Sequence, residues 1–301
     1  MSRRWLKGNT HAHTTNSDGD APPDQVVAWY EDHGYDFLAI SDHNVLTPPV
    51  LNRPVSLTLL PAEELTLQMH IHVNGLGLSS PILPPKLPAH IKMADEKMWI
   101  LRWALEQIEA QGALAHVNHP NYNWSISSEA IEAVETIRIM EVFNGHPFAN
   151  NAGSAHGSSV EAKWDKVLSD GRLVYGLATD DAHHYGTFDP VLANPGRGWI
   201  YLEAEDARTE TILEAMKAGR FYASTGVKLA DYDVRGGCIS VAVDSETPVA
   251  VELVGEQGNV LDRQEAIEAR LDVPAGQRYV RVRVQGELGE RAWMQPIMRD
   301  Q

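Results

Sequence analysis

A single cysteine, Cys238, stands among 301 residues. One thiol cannot close an internal disulfide, which suits a reducing compartment. Basic charge is also scarce, with 25 Lys and Arg against 41 Asp and Glu, a formal net charge of −16. Such a field repels long nucleic acids and anionic membranes unless a local basic patch overrides it. The sequence has no Lys/Arg cluster of that kind. No apolar run approaches the ~20 residues of a membrane span. Residues 1–8 carry charge with no apolar stretch behind them, so no secretory signal is expected. These absences lead to the expectation of a soluble cytoplasmic protein with no membrane and no long nucleic-acid partner.

What is present is globular material. A chain of this length buries about 75% of its unfolded surface, so neither disulfide nor metal is needed merely to fold. Short apolar runs recur at 5–6, 37–40, 57–60, 71–78, 113–117, 137–140, 174–177 and 199–202. Helix-period segments lie between several of them, at 24–34, 94–112, 160–171 and 208–219, each closed by glycine. Strands alternating with helices predict βα units and a largely parallel sheet or barrel. After Gly226 the text alternates with period two, at 239–243, 249–253 and 279–284, with turn residues between. That pattern predicts a small antiparallel, sandwich-like domain over 227–301 beside a first domain over 1–226.

Polar residues able to ligate metal follow one apolar run after another. His11 and His13 with Asp18, then Asp42-His43, Glu63-Glu64, His70 and His72, His116 and Asn118-His119, Glu141 and Asn144, and Asp180-Asp181 with His183-His184 come in that order. Parallel α/β architectures build active sites at the C-terminal ends of strands. Imidazole and carboxylate without thiolate suit Zn²⁺, Mn²⁺ or Fe²⁺. His11 and His13 at i, i+2 on an extended segment point to one side and can grip one ion, and Asp181 with His183 repeats the spacing. A lone His-x-His or Asp-His pair is commonplace on surfaces and at helix caps. Five or six such motifs at one end of successive strands have no packing explanation, because each burial carries a desolvation cost.

His-x-His with Ser-Asp-Gly, then Asp-His, Glu, His, His-Pro and Asp-x-His resembles the motif set of the PHP (polymerase and histidinol phosphatase) superfamily. Residues 61–66, 72–77, 117–120, 141–144, 180–184 and 221–226, with 292–296, are similar to its CehA/McbA-like metallohydrolases. The resemblance implies a distorted (β/α)7 barrel with two or three divalent ions. It implies a first metal on His11, His13, Glu64 and Asp181, and a second on Asp18, His43 and His183. A third would take Glu64 with His72 and His119. Glu63 competes with Glu64, and Asp18 stands where some members have histidine. His70 and His116 are expected to face the outer shell. His184 and His146 stay open between supporting the ligands, donating a proton and neither. Arg197 is either an anion clamp or a turn arginine, the clamp suiting a phosphoryl oxygen pair.

The expected activity is hydrolysis of small phosphate mono- or diesters by a metal-bridging hydroxide, with Asp181 orienting the water or taking its proton. A carbamate or carboxylic ester is the alternative substrate, favoured if Trp and Met residues of 93–103 line the mouth. A non-catalytic metal-binding module is the alternative of another class. The expected partner is a small-molecule substrate, and a homo-oligomer is open.

Overall fold

The computed structural model describes residues 4–47, 54–88, 90–92 and 95–299. Strands β1 (Trp5–Asn9), β2 (Phe37–Ile40) and β3 (Thr58–Leu67) are parallel neighbours, with helix α1 (Pro23–Asp32) crossing between the first two. Strand β4 (Ile71–Leu76) is antiparallel to β3 and to β5 (Leu114–Val117), which follows helix α2 (Glu96–Ala110). The parallel run resumes through β5, β6 (Ile139–Asn144) and β7 (Tyr175–Thr179), with α3 (Ser128–Ala133) and α4 (Val160–Ser169) as crossovers. Strand β8 (Trp199–Glu203) is antiparallel to β1; after α5 (Thr209–Lys217), β9 (Phe221–Ser224) is antiparallel to β8.

The sheet is therefore mixed, less parallel than the alternation of runs and helices predicts. Only residues 68–70 join β3 to β4, with Met69 and His70 at φ 61° and 56°. A parallel crossover needs a dozen residues or more, so β4 has to double back. His72 then begins a strand instead of following one, yet Thr66 pairs with His72 and so brings it to the C-terminal end of β3. Glu63 and Glu64 lie inside β3, and Glu141 and Asn144 inside β6, because both strands run on past their apolar starts. Helix α3, too short to show a period, is capped by Ser127 accepting from the Ala130 N–H.

Two apolar layers set which way the site residues point. Leu6, Phe37, Leu60, Ala62, Ile139 and Leu177 belong to one buried cluster inside the curl of the sheet. Leu65, Leu67, Val73, Val117, Met140 and Val142 face the other way, against α2, α3 and α4. Period two puts Glu64 on the inner face with Leu60 and Ala62, and Glu63 on the outer face with Leu65. Met98, Trp99 and Trp103 of α2 pack on the outer cluster, not at a mouth, and Met93 lies outside the described residues. Beyond the strands the ladder continues: Asp181 N–H donates to His11 O at 3.0 Å and His13 N–H to Ala182 O at 2.9 Å. These two bonds tie the end of β7 to the end of β1.

The C-terminal strands are β10 (Leu229–Arg235), β11 (Cys238–Val243), β12 (Val249–Val254), β13 (Val260–Ala266), β14 (Glu268–Asp272), β15 (Tyr279–Gln285), β16 (Arg291–Met294) and β17 (Ile297–Met298). Strands β10, β11 and β14 make a separate antiparallel sheet. Gly236 and Gly237, at φ 59° and 78°, turn β10 into β11 as a two-residue hairpin needs. Strands β16, β15, β12 and β13 extend the main sheet through the antiparallel pair β9–β16. The two sheets share one apolar cluster, with Ile239 and Val241 from one and Val251, Leu253 and Val282 from the other. Buried Cys238 accepts from Arg270 Nε at 3.0 Å. No helix among the described residues is long and apolar enough to cross a membrane.

Candidate metal centre

The inner face of the main sheet changes from apolar to polar at the C-terminal ends of β1, β2, β3, β5, β6 and β7. There His11, His13, Glu64, His119 and Asp181 are almost wholly buried. His11 Nε2 lies 3.3 Å from Glu64 Oε1 and 3.2 Å from Asp181 Oδ1. His13 Nε2 lies 3.3 Å from Glu64 Oε2 and 3.2 Å from Asp181 Oδ1. A second set surrounds Asp18, with His183 Nε2 at 3.3 Å and His43 Nε2 at 3.4 Å. A third surrounds Glu64 Oε1, with His72 Nδ1 at 3.0 Å and His119 Nε2 at 3.4 Å.

These residues fit divalent cations. His11 Nε2, His13 Nε2 and Glu64 Oε2 are buried without a hydrogen-bond partner, which is expensive unless a cation meets them. Two ligands each about 2.1 Å from one ion, in tetrahedral or octahedral angles, stand about 3.0–3.4 Å apart, the spacing seen here. Four groupings of ligand atoms lie within 4.8 Å: His13, Asp18, His43 and His183; His11, His119 and Asp181; His11, His13 and Glu64; and His43, Glu64 and His72. Asp181 at φ 50° and His119 at φ 21° hold strained backbone, which structures keep at functional positions.

The charges are mutually dependent. Burial opposes ionisation of Glu64, but the rings of His72, His11 and His43 hold it well below the usual carboxylate range. Asp181 behaves likewise beside His11, His13 and His183. Burial opposes protonation of His11, yet Asp181, Glu64 and Glu141 raise it well above an ordinary imidazole. His43, against burial, is raised to about 10 by Glu64 and Asp18. The cluster is built to hold positive charge.

Around it stands a shell of hydrogen-bonding side chains. Asp42 accepts from Thr14 N–H at 2.7 Å, Thr14 Oγ1 at 2.8 Å and Ser17 Oγ at 2.7 Å, pinning the turn that carries Asp18. Asn118 Nδ2 donates to Glu64 Oε1 at 2.7 Å. Glu141 accepts from His11 Nδ1 at 2.7 Å, and Asn144 Nδ2 donates to Asp181 Oδ2 at 3.1 Å. The signal for these residues in sequence is weak, namely polar letters inside apolar runs.

Some open choices close here, and the expectation for His116 is overturned. Glu64 is the carboxylate aimed inward; Glu63 Oε1 accepts from Ile82 N–H at 2.7 Å on the outer face. His116 does not face the outer shell. It is i, i+2 from Asn118 and therefore on the same face, fully buried, with its ring 6.3 Å from His11. Burial lowers it to about 4. His70 sits exposed in the β3–β4 turn. The Arg197 guanidinium is engaged by protein: Nη1 donates to Gly145 O at 3.1 Å and Nη2 to Asp189 O at 2.9 Å. Its loop is anchored on Asp180, which accepts from the Arg197 and Gly198 N–H groups and from Tyr30 Oη. His184 Nδ1 is buried without a partner, and among the described residues no ion pair joins that ring to the cluster. His146 is the histidine brought over it, its ring 5.7 Å from His183 and 5.9 Å from Tyr122.

No family model and no curated protein matches the chain. Among solved structures it is similar to a two-domain protein from Bacteroides vulgatus described as containing a predicted PHP-like metal-dependent phosphoesterase. The TM-score is 0.51 and the identity 18%, over 94% of this chain and 90% of that one. At that identity the likeness establishes the fold alone. An amidohydrolase from Chromobacterium violaceum matches at TM-score 0.40 and 15% identity, over 62% of this chain and 93% of its own. A provisionally assigned metal-dependent phosphoesterase from Bifidobacterium adolescentis matches at TM-score 0.40 and 13% identity, over 62% and 91%. A TM-score of 0.40 is too low to bear on the fold.

Proposed function

We propose that the protein is a divalent-metal-dependent hydrolase acting on small phosphate esters. The observation that carries the reading is the nest of unpartnered buried ligand atoms around Glu64 and Asp181. The first ion would be held by His11, His13, Glu64 and Asp181, the second by Asp18, His43 and His183, and a third by Glu64, His72 and His119. Bound there, divalent ions supply Lewis acidity and a nucleophile drawn from water near neutral pH. A closed barrel over 1–226 is part of the reading, supported by the bonds that tie β7 to β1. Residues 227–301 are read as the β-rich unit that lengthens its sheet.

The chain's own groups then have separable tasks. Asp181, ionised and with Oδ2 steadied by Asn144, orients the attacking water and takes its proton. His146 accepts the Phe148 N–H at Nδ1, 3.2 Å away, so its Nε2 carries the proton, in a ring 5.7 Å from that of His183. Arg197 braces the 180–198 loop and touches no substrate. Phosphorus as the electrophile is supported by the motif order and by the description of the Bacteroides protein.

The test combines elemental analysis of protein purified without added metal with release of p-nitrophenol from phosphate mono- and diesters. Bound divalent ions with phosphate-ester turnover are expected. Turnover of a carboxylic ester alone would move the reading to carbonyl substrates. No metal even after Mn²⁺ or Zn²⁺ addition would end it, leaving a non-catalytic module.

A further inference from the structure

We infer that Glu141, assigned no ligand role above, is a positioning residue that sets three of the metal-holding side chains at once; the inference rests on the metal reading. Glu141 sits within β6 and is fully buried. Oε1 accepts from His11 Nδ1 at 2.7 Å and Thr179 Oγ1 at 2.7 Å. Oε2 accepts from the His119 N–H at 2.6 Å and Asn144 Nδ2 at 2.8 Å. Four donors on two oxygens leave the carboxylate little capacity to ligate an ion itself.

Each bond acts on a different strand end. The first keeps the His11 proton on Nδ1, so the Nε2 lone pair faces Glu64 and Asp181. The third captures the backbone N–H of His119, whose φ of 21° is strained. The fourth holds Asn144, whose Nδ2 also reaches Asp181 Oδ2 at 3.1 Å. One carboxylate thus registers the ends of β1, β5 and β7. Asp18, His43 and His183 take no hydrogen bond from it and provide an internal control.

Glu141→Gln is nearly isosteric but cannot accept four donors, because its amide nitrogen would meet a donor head-on. Zn²⁺ titration of the metal-stripped full chain by calorimetry reads the result. The tightest class of site in Glu141→Gln is expected to weaken about 10- to 100-fold. Binding at the Asp18 grouping, identified by its loss in Asp18→Ala, should change less than about threefold, well below that range. A nitrogen-edited NMR resonance for a slowly exchanging His11 Nδ1–H should be present in the parent and absent in the variant, a change that general loosening would not single out.

Equal affinities at every site in parent and Glu141→Gln would overturn the inference while leaving the metal reading intact. So would uniform weakening at all of them. No Zn²⁺ uptake by the parent would overturn both. If Glu141→Gln does not fold, Asn144→Ala decides: weakening confined to the same class supports the inference, and unchanged binding overturns it.

Discussion

Arg281 grips Asp165 through two parallel hydrogen bonds of 2.8 Å, Nε to Oδ1 and Nη2 to Oδ2. Arg281 lies in β15 and is fully buried, while Asp165 lies in α4. Glu161 Oε1 accepts from Arg281 Nη2 at 2.7 Å and from Arg283 Nη1 at 2.9 Å, and Tyr279 Oη donates to Asp165 at 2.8 Å. The C-terminal strands are therefore joined to α4 by desolvated charge as well as by the β9–β16 ladder.

Removing one partner of such a pair leaves the other charge buried and unpaired, which costs about 3–5 kcal/mol. Arg281→Met should lower unfolding stability by that amount. Replacing Asp165 and Glu161 by apolar residues in the same chain should recover much of the loss. Chemical denaturation of the variants is the check. A chain ended at 226 should be insoluble or much less stable, because it bares the edge of β9 and strands Asp165; a stable, soluble fragment would contradict this.

Glu63 and Glu64 offer a sharper test, since they are neighbours on opposite faces of β3. Glu64→Gln should abolish turnover and empty two of the three proposed sites, because only the Asp18 set does without it. Glu63→Gln should leave metal content unchanged and activity within about twofold, because a glutamine oxygen still accepts the single Ile82 N–H and one such bond is worth only about 1 kcal/mol. Metal analysis of the two purified variants settles the matter. Equal loss in both would mean that the register of β3 is wrong.

Much of this candidate centre is legible in the sequence, because the residues that could ligate metal are polar letters set where a buried strand calls for apolar ones. His11, His13, Asp18, His43, Glu64, His72, His119, Asp181 and His183 are all brought into the one cluster. Direction along a strand is legible only when its starting register is known. The starting register distinguishes Glu63 from Glu64, and period two already puts His116 with Asn118. The reversal of β4 is hidden in three residues, 68–70, of which Met69 and His70 take positive φ with no glycine to announce it. Arg197 stays open in the sequence for another reason: a guanidinium shows its partners only after Gly145 and Asp189 have been folded against it.

Arg197 accordingly predicts a small effect where an anion clamp would predict a large one. Arg197→Ala loses donors to Gly145 O and Asp189 O, together worth about 1–3 kcal/mol of stability. Turnover should fall about tenfold or less, through slackening of the 180–198 loop, a step of about 1.4 kcal/mol in barrier. Metal content should not change. Steady-state kinetics on a phosphate diester provides the comparison, and a rise in KM of several hundredfold would restore the clamp.

In protein stripped of metal by a chelator, stability should depend on pH through His43. His43 is raised to about 10 because, against the burial that opposes its charge, Glu64 and Asp18 attract it. Its unfolded value is about 6.5, so the folded state binds the proton more tightly. That contribution to stability is complete below about pH 6.5 and is lost as pH climbs through about 10. Stripped protein should therefore melt at lower temperature at pH 9 than at pH 7. In His43→Asn the same change of pH should cost less, so the stability difference between parent and variant should shrink across the interval. Saturating Zn²⁺ should reverse the trend in the parent, since ligation needs the deprotonated imidazole and rising pH then favours the bound, folded form. A parent–variant difference that stays constant from pH 7 to pH 9 without metal would show that His43 holds no extra proton in the folded chain.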